Sequence, residues 1–238
     1  MRIALVGYGK MGHEIEDIAI ERGHQVVMIV DRDNVSEFTK EKIQKADVVI
    51  EFSTPSTAVD NYKKCIDAGV PVVSGTTGWL EKRSEVETYC QDNNGGFFYA
   101  SNFSLGVNLF FELNKKLASL MNKFKEYDVD MEEIHHVHKL DAPSGTAITL
   151  AEGVIENIER KISWKLDEIS SCDEMKIVAK RENEVPGTHS IRYSSDVDEI
   201  NITHRAYSRK GFALGAVLAA EYMRGKLGLY GMKDLLAD

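Results

Sequence analysis

Short apolar runs alternate with charged, amphipathic stretches through the first hundred residues, and few folds accept that rhythm. The runs are IALVG (3–7), VVMIV (26–30), DVVIEF (47–52), VPVVSG (70–75) and GFFYA (96–100). They are apolar at consecutive positions, whereas a strand with one wet face alternates polar and apolar residues. Strands covered on both faces lose that alternation. Stretches such as 13–22 and 81–93 between the runs are charged and amphipathic. Together they predict a parallel sheet with helices on both faces.

The pattern then changes. LGVNLFFELNKKLASLMNKF (105–124) predicts one helix with Leu109, Leu113, Leu117 and Leu120 on its buried stripe. YDVDMEEIHHVH alternates like a strand. Residues 144–159 predict a second helix, with Ile148, Ala151, Ile155 and Ile158 sharing a face. Strand-like pieces follow at 175–181, 189–194 and 199–204, with a Pro-Gly turn at 186–187. Strands in succession without helices between them imply an antiparallel or mixed sheet. A last helix is expected over 211–226. The expected architecture is an α/β lobe followed by an α+β lobe.

The first βα junction carries VGYGKMG, which gives Gly7-x-Gly9-x-x-Gly12 between a strand and a helix. Glycines there permit a tight turn, close approach of a pyrophosphate and close helix packing, and the helix start attracts phosphate. A second strand ends in Asp31, which suits the ribose hydroxyls of NAD. Asp31 opposes a 2′-phosphate, while Lys10 and Arg32 favour one, so NADH is read here with NADPH left open. SGTTGW (74–79) and ASNFS (100–104) also follow strands of this sheet. Ligands of open α/β sheets bind beyond the carboxyl ends of the strands. Gly75, Thr76 and Thr77, and Ala100, Ser101, Asn102 and Phe103, are therefore candidates to line the nicotinamide side, although ordinary polar turns would look the same.

EIHHVHKLDAPSGTA (133–147) concentrates acid–base and anion-binding residues. On a strand His136 and His138 would point one way and His135 the other. No HExxH pattern or nearby cysteine supports zinc, and no metal is expected. Ser144-Gly145-Thr146 follows Pro143, with Ser144 a candidate N-cap. Free N–H groups at a helix start bind carboxylate or phosphate. Lys139 adds positive charge, His136 a donor, and either His135 or Lys139 a titratable group. The segment suits a small polyanionic substrate.

Charge and cysteine usage exclude several classes. The chain has 238 residues and a formal net charge of −9. No Lys/Arg cluster resembles a nucleic-acid face. No apolar run approaches the ~20 residues of a membrane span. Cys65, Cys90 and Cys172 are widely spaced, which fits a reduced compartment. The chain opens directly with RIALVG and lacks the pattern of a secretory leader, so the cytoplasm is expected.

EIHHVHKLDAPSGTA resembles the central motif of the dihydrodipicolinate reductase (4-hydroxy-tetrahydrodipicolinate reductase) family. GYGKMG, SGTTGW, ASNFSLGVN, VPGTH and ITHRAYSRKGFALGAV resemble that family in order, over nearly the whole chain. The resemblance implies an N-terminal Rossmann domain (1–104 plus 212–238) and a C-terminal α+β domain with a mixed sheet (105–211) that binds substrate and builds a homotetramer. It implies hydride transfer from NADH or NADPH to (2S,4S)-4-hydroxy-2,3,4,5-tetrahydrodipicolinate, giving tetrahydrodipicolinate, NAD(P)+ and water in lysine and diaminopimelate biosynthesis. The catalytic histidine falls on His135 and the proton-donating lysine on Lys139. Substrate contacts fall on His136, Gly145 and Thr146, with Ser144 beside them. Cofactor contacts fall on Gly7, Tyr8, Gly9, Lys10, Met11 and Gly12, on Asp31, and on Gly75–Thr77 and Ala100–Phe103. The glycine loop here is shorter than the family's G-x-G-G-R-M-G and carries Lys10 in place of its Arg. The stretch between VPGTH and ITHRA is also shorter than in many members. Another NAD(P)-dependent amino-acid or semialdehyde dehydrogenase of this architecture is the alternative, and a non-enzymatic NADH-sensing module a more distant one.

Overall fold

The computed structural model describes residues 1–237. It divides into two compact units, Met1–Leu105 with Lys210–Asp238, and Gly106–Arg209.

The first unit runs β1 (Arg2–Val6), α1 (Lys10–Glu21), β2 (Gln25–Val30), α2 (Lys40–Ile43), β3 (Val48–Glu51), α3 (Pro55–Asp67), β4 (Val72–Ser74), α4 (Arg83–Asp92) and β5 (Gly96–Tyr99). The chain leaves through α5 (Leu105–Met121). It returns as α7 (Lys210–Met223), β11 (Gly228–Tyr230) and α8 (Met232–Ala237). The strands form one parallel sheet in the order β11-β5-β4-β3-β1-β2. Successive residues of β1 explain the unbroken apolar runs. Ile3 and Leu5 join one buried cluster with Ile15, Ala216 and Ala220 of α1 and α7. Ala4 and Val6 join another with Tyr62 and Cys65 of α3 and Val86 of α4. Both faces of the sheet are therefore covered by helices, as the runs predict. Strand order reverses between β1 and β3, and this is where open sheets of this kind offer a crevice.

The second unit holds most of α5, then β6 (Asp128–His135), α6 (Gly145–Ile155), β7 (Ser163–Leu166), β8 (Glu174–Arg181), β9 (Gly187–Ser194) and β10 (Glu199–Ala206). Its sheet is mixed, in the order β10-β9-β6-β8-β7. β6 is antiparallel to β9 and parallel to β8. One face packs on α5 and α6 through Val129, Met131, Ile177, Ile191 and Tyr193. The other is polar, with Arg192 2.6 Å from Asp130 and Lys180 2.6 Å from Glu132.

Two helix faces differ from expectation. On α5 the buried residues are Val107, Phe110, Asn114, Ala118 and Met121. Leu109, Leu113 and Leu120 are 52%, 50% and 63% exposed, and of the predicted stripe only Leu117 packs on the core. The helix carries two apolar stripes, and its partner chooses between them. Asn114 Nδ2 donates to Leu150 O of α6 (2.8 Å), and a Cβ on Gly153 would lie 3.3 Å from Asn114 Nδ2. That close approach turns the Asn114 face inward. On α6 the buried row is Ala147, Leu150, Ala151 and Val154, continued by Ile158, with Ile148 and Ile155 at its edge. The expected strand geometry at His136 and His138 also fails, because β6 stops at His135 and a turn follows. β7 and β11, both edge strands, have no counterpart in the sequence reading. Among the described residues no helix is long and apolar enough to cross a membrane.

The return of α7 to the first sheet depends on Gly215. A Cβ there would sit 1.7 Å from Phe103 O, inside the backbone of the loop after β5. Gly215→Ala is expected to destabilise the protein by on the order of 3 kcal/mol, read as a lower midpoint in urea. An unchanged midpoint would mean that α7 does not pack there.

Candidate active site

In the first unit the sequence-predicted ligand residues sit on loops at the carboxyl edge of the sheet and, for Lys10, Met11 and Gly12, on the first turn of α1. Gly7, at φ +88°, donates its N–H to Val30 O (2.8 Å), and a Cβ there would lie 2.0 Å from Phe52 O. The turn after β1 therefore touches the turn after β3 backbone to backbone, at the point where strand order reverses. Gly9 has nothing within 4 Å of where a Cβ would be, and no side chain caps α1. The N–H groups that open α1 are thus not taken by a side-chain cap, which fits a pyrophosphate.

The flanking residues divide by role. Asp31, exposed, ends β2 in a capping box, with its N–H donating to Asn34 Oδ1 (2.7 Å). Lys10 and Arg32 are exposed. Met11 packs against the apolar core, and Tyr8 contacts the His13 ring at a tilt (centroids 3.9 Å apart) and bonds Glu16. Gly75 has the Phe52 ring where a Cβ would be (2.2 Å), and the Phe52 and Phe103 rings lie 5.5 Å apart. Ala100 N donates to Ser74 O (3.3 Å); Thr77 and Ser101 are exposed and Asn102 is half-buried.

Beneath these loops lies Glu51, fully buried at the end of β3. It accepts from Ser53 N (3.1 Å), Ser74 Oγ (2.8 Å) and Thr76 Oγ1 (2.9 Å). Tyr62 bonds Ser74 (2.7 Å), and burial, with the Glu51 charge second, pushes its hydroxyl well up. Glu51, Phe52 and Ser53 escaped the sequence reading, although a carboxylate closing the apolar run DVVIEF is a visible anomaly.

In the second unit, β6 points Val129, Met131, Glu133 and His135 inward. Glu133 stands opposite His189 of β9, and His135 opposite Arg181 of β8. The last layer of an otherwise apolar face is thus polar. Glu133 Oε1 accepts from Ser144 N (3.0 Å) and Arg181 Nη2 (3.3 Å). Glu133 Oε2 lies 3.3 Å from His135 Nδ1 and 3.6 Å from His189 Nε2, in contact but not aligned as hydrogen bonds. Burial alone would raise the Glu133 carboxyl. The His135 and His189 rings and the Ser144 hydroxyl and amide outweigh it and hold the group well below the carboxylate range. Burial keeps His189 below the usual histidine range despite Glu133.

Arg181 also ties down the loop that follows. Its guanidinium donates to Lys139 O (3.3 Å) and Asp141 O (2.5 Å). Lys139 Nζ is 2.8 Å from both oxygens of Asp141, and this lysine pulls the Asp141 carboxyl down. His138, exposed, pairs with Glu184 (3.1 Å), and His136 is half-buried. Ser144 caps α6, its Oγ accepting from Ala147 N (3.2 Å) and lying 3.2 Å from His189 Nε2. Ser144 is thereby occupied and buried, which leaves Gly145 and Thr146 to present their N–H groups at the helix start. Nothing lies within 4 Å of where a Gly145 Cβ would be.

The sequence reading missed Glu133, Arg181 and His189. All three are polar residues near the end of strands, and Glu133 and His189 share the inward parity of Val129–Met131 and Ile191–Tyr193. Glu133, His135 and His189 also form a donor set of a kind that holds divalent metals, with one ligand atom of each within 4.8 Å of the others. The Arg181 guanidinium on the same carboxylate opposes a dication there.

Residues 1–103 match the family profile for the N-terminus of dihydrodipicolinate reductase, and residues 106–236 the profile for its C-terminus. A 4-hydroxy-tetrahydrodipicolinate reductase of Christiangramia forsetii is 51% identical, over all of this chain and 98% of that protein. One of Methanocaldococcus jannaschii is 34% identical, over 98% of this chain and 80% of that protein. A solved dihydrodipicolinate reductase of Paenisporosarcina sp. TG-14, with dipicolinate bound, shares the fold at a TM-score of 0.78 and 24% identity, covering 98% of each chain.

The backbone contact beneath the first loop makes a test. Gly7→Ala drives a Cβ into Phe52 O at a positive φ. The variant is expected to weaken NADH binding on the order of tenfold or more in a fluorescence titration. An unchanged Kd would remove this crevice as a nucleotide site.

Proposed function

The chain belongs to the dihydrodipicolinate reductase family, and we propose that its two units divide that family's reaction between them, the first holding NAD(P)H and the second the substrate. The activity is that of a 4-hydroxy-tetrahydrodipicolinate reductase. The observation that carries the division of roles is the folding of HHVHKLDAPSGTA. It places His135, the Lys139 loop and the open start of α6 around one buried carboxylate, Glu133.

The first unit is assigned the dinucleotide. The open start of α1 at Gly9 suits the pyrophosphate, and Asp31 the ribose hydroxyls. Gly75–Thr77 and Ala100–Phe103 border the nicotinamide side. The bound nicotinamide supplies the hydride. Asp31, fixed by its capping box, repels a 2′-phosphate, so we assign NADH as the faster cofactor, with NADPH accepted through Lys10 and Arg32.

The second unit is assigned the dicarboxylate. Gly145 and Thr146 N–H groups take one carboxylate, and His136 and the Lys139 charge support the other. Net replacement of the substrate hydroxyl by hydride releases the hydroxyl as water, which requires one proton. His135 and Lys139 are the groups placed to give it. Lys139 is held by Asp141, so donation from it entails rearrangement of that ion pair. The assembly we assign is a homotetramer, as the family resemblance implies, and the compartment the cytoplasm, as the spacing of the cysteines suggests.

The test is oxidation of NADH and of NADPH, with substrate generated in situ from pyruvate and aspartate semialdehyde by a synthase. Synthase-dependent turnover is expected, faster with NADH. His135→Ala and Lys139→Ala should each lower kcat by about 100-fold or more while leaving the Kd for NADH within about twofold. Unchanged turnover in both variants would remove the assigned proton donors. No turnover by folded, NADH-binding protein would remove the reaction itself.

A further inference from the structure

We infer that Glu133 is a positioning residue, whose Oε2 accepts the Nδ1 proton of His135 and so fixes that ring with Nε2 as its reacting nitrogen. The inference rests on the reading of His135 as a proton donor and adds a residue to which no role has been given.

The two oxygens of Glu133 are used differently. Oε1 faces structure: the Ser144 amide that opens α6 and the Arg181 guanidinium. Oε2 faces two imidazoles, at 3.3 Å from His135 Nδ1 and 3.6 Å from His189 Nε2. Both Oε2 and His135 Nδ1 are shut away from solvent and have no other hydrogen-bond partner. An ionised buried oxygen without a donor is costly, and the Nδ1–H of His135 is the donor nearest to it. Apo contacts of this kind are often long and tighten when substrate binds.

The opposite edge of the His135 ring fits the same assignment. Gly187 lies beside Nε2, and a Cβ on it would come within 3.1 Å. No side chain at that position crowds the nitrogen that must reach a substrate. His189 is the more distant of the two imidazoles from Oε2, at 3.6 Å against 3.3 Å. Burial disfavours its protonation, and its Nε2 also has the Ser144 hydroxyl within reach at 3.2 Å.

Proton accounting is simple. With Nδ1–H held by Glu133, the imidazolium of His135 gives the Nε2 proton to the departing hydroxyl. The ring is left neutral in the Nδ1–H form, and water restores the Nε2 proton after each turnover. The negative charge beside Nδ1 stabilises the imidazolium before the transfer. The groups facing His135 are Glu133 on its own strand, His189 on β9, Arg181 on β8 and the Lys139–Asp141 pair on the following loop. Among these, Glu133 is the anion in direct contact.

Glu133→Gln separates this role from a structural one. Glutamine keeps an acceptor for Ser144 N and turns an amide N–H₂ toward Nδ1, which then has to accept. Histidine ¹H–¹⁵N spectra of the wild type, which need no substrate, should show His135 as the Nδ1–H tautomer. The variant should show the Nε2–H tautomer. In kinetics, kcat should fall about 100-fold or more with the substrate KM within about threefold. Glu133→Asp should restore part of kcat. A wild-type His135 in the Nε2–H form overturns the proposal even if no variant folds. So does a Glu133→Gln enzyme with unchanged kcat, or activity lost on chelation and restored by zinc. Failure of the reductase assay with the expected tautomers intact would instead count against the reaction assigned above.

Discussion

A carboxylate denied water obliges the chain around it to supply donors, and each unit of this protein is organised around one such obligation. Glu51 and Glu133 are both fully buried. Unpaired, either would be too costly to keep ionised in the interior. Glu51 draws in the Ser53 amide and the Ser74 and Thr76 hydroxyls, and so fixes the loops at the carboxyl edge of the parallel sheet. Glu133 draws in the amide of Ser144 and the guanidinium of Arg181, and so fixes where α6 begins and where the Lys139 loop runs. In both cases the course of the surrounding loops follows from satisfying a buried carboxylate.

Much of this was legible from the chain. The five runs of the first hundred residues read as strands of a doubly covered sheet because burial on two faces leaves no polar position to break the run. Val129 and Met131 announced an inward face, and Ser144 announced a helix start. What failed was the choice among equal options. α5 offers Leu109, Leu113, Leu117 and Leu120 on one side and Val107, Phe110, Ala118 and Met121 on another. Periodicity cannot rank them. Contact with Gly153 and Leu150 of α6 does, and that contact is absent from any local window. SWKL and GLY, half exposed or short at sheet edges, lack the apolar content that marks a strand.

The site divides in the same way. Residues 133–147 are contiguous, so their acid–base and anion-binding character could be read directly. Their supports could not. Arg181 reaches Glu133 from 48 positions away, and His189 arrives through the antiparallel pairing of β6 with β9. Strand register decides such meetings, and the sequence carries register only as parity. The clue that was available is that Glu133 and His189 occupy inward positions where the pattern calls for apolar residues.

The two units also differ in what they ask of their residues. In the first, the loops are set by backbone geometry: Gly7 against Phe52, an uncapped α1, and glycine at Gly75 where the Phe52 ring closes in. Side chains there matter chiefly by being absent. In the second, the loop after β6 is held by charged side chains. Lys139 is neutralised in part by Asp141, Glu133 by Arg181, and burial disfavours the charged form of His189. That leaves His135 as the imidazole with an anion at one nitrogen and a glycine at the other. The loops of the first unit thus depend on the absence of a Cβ at single positions, and the loop after β6 on a balanced set of charges.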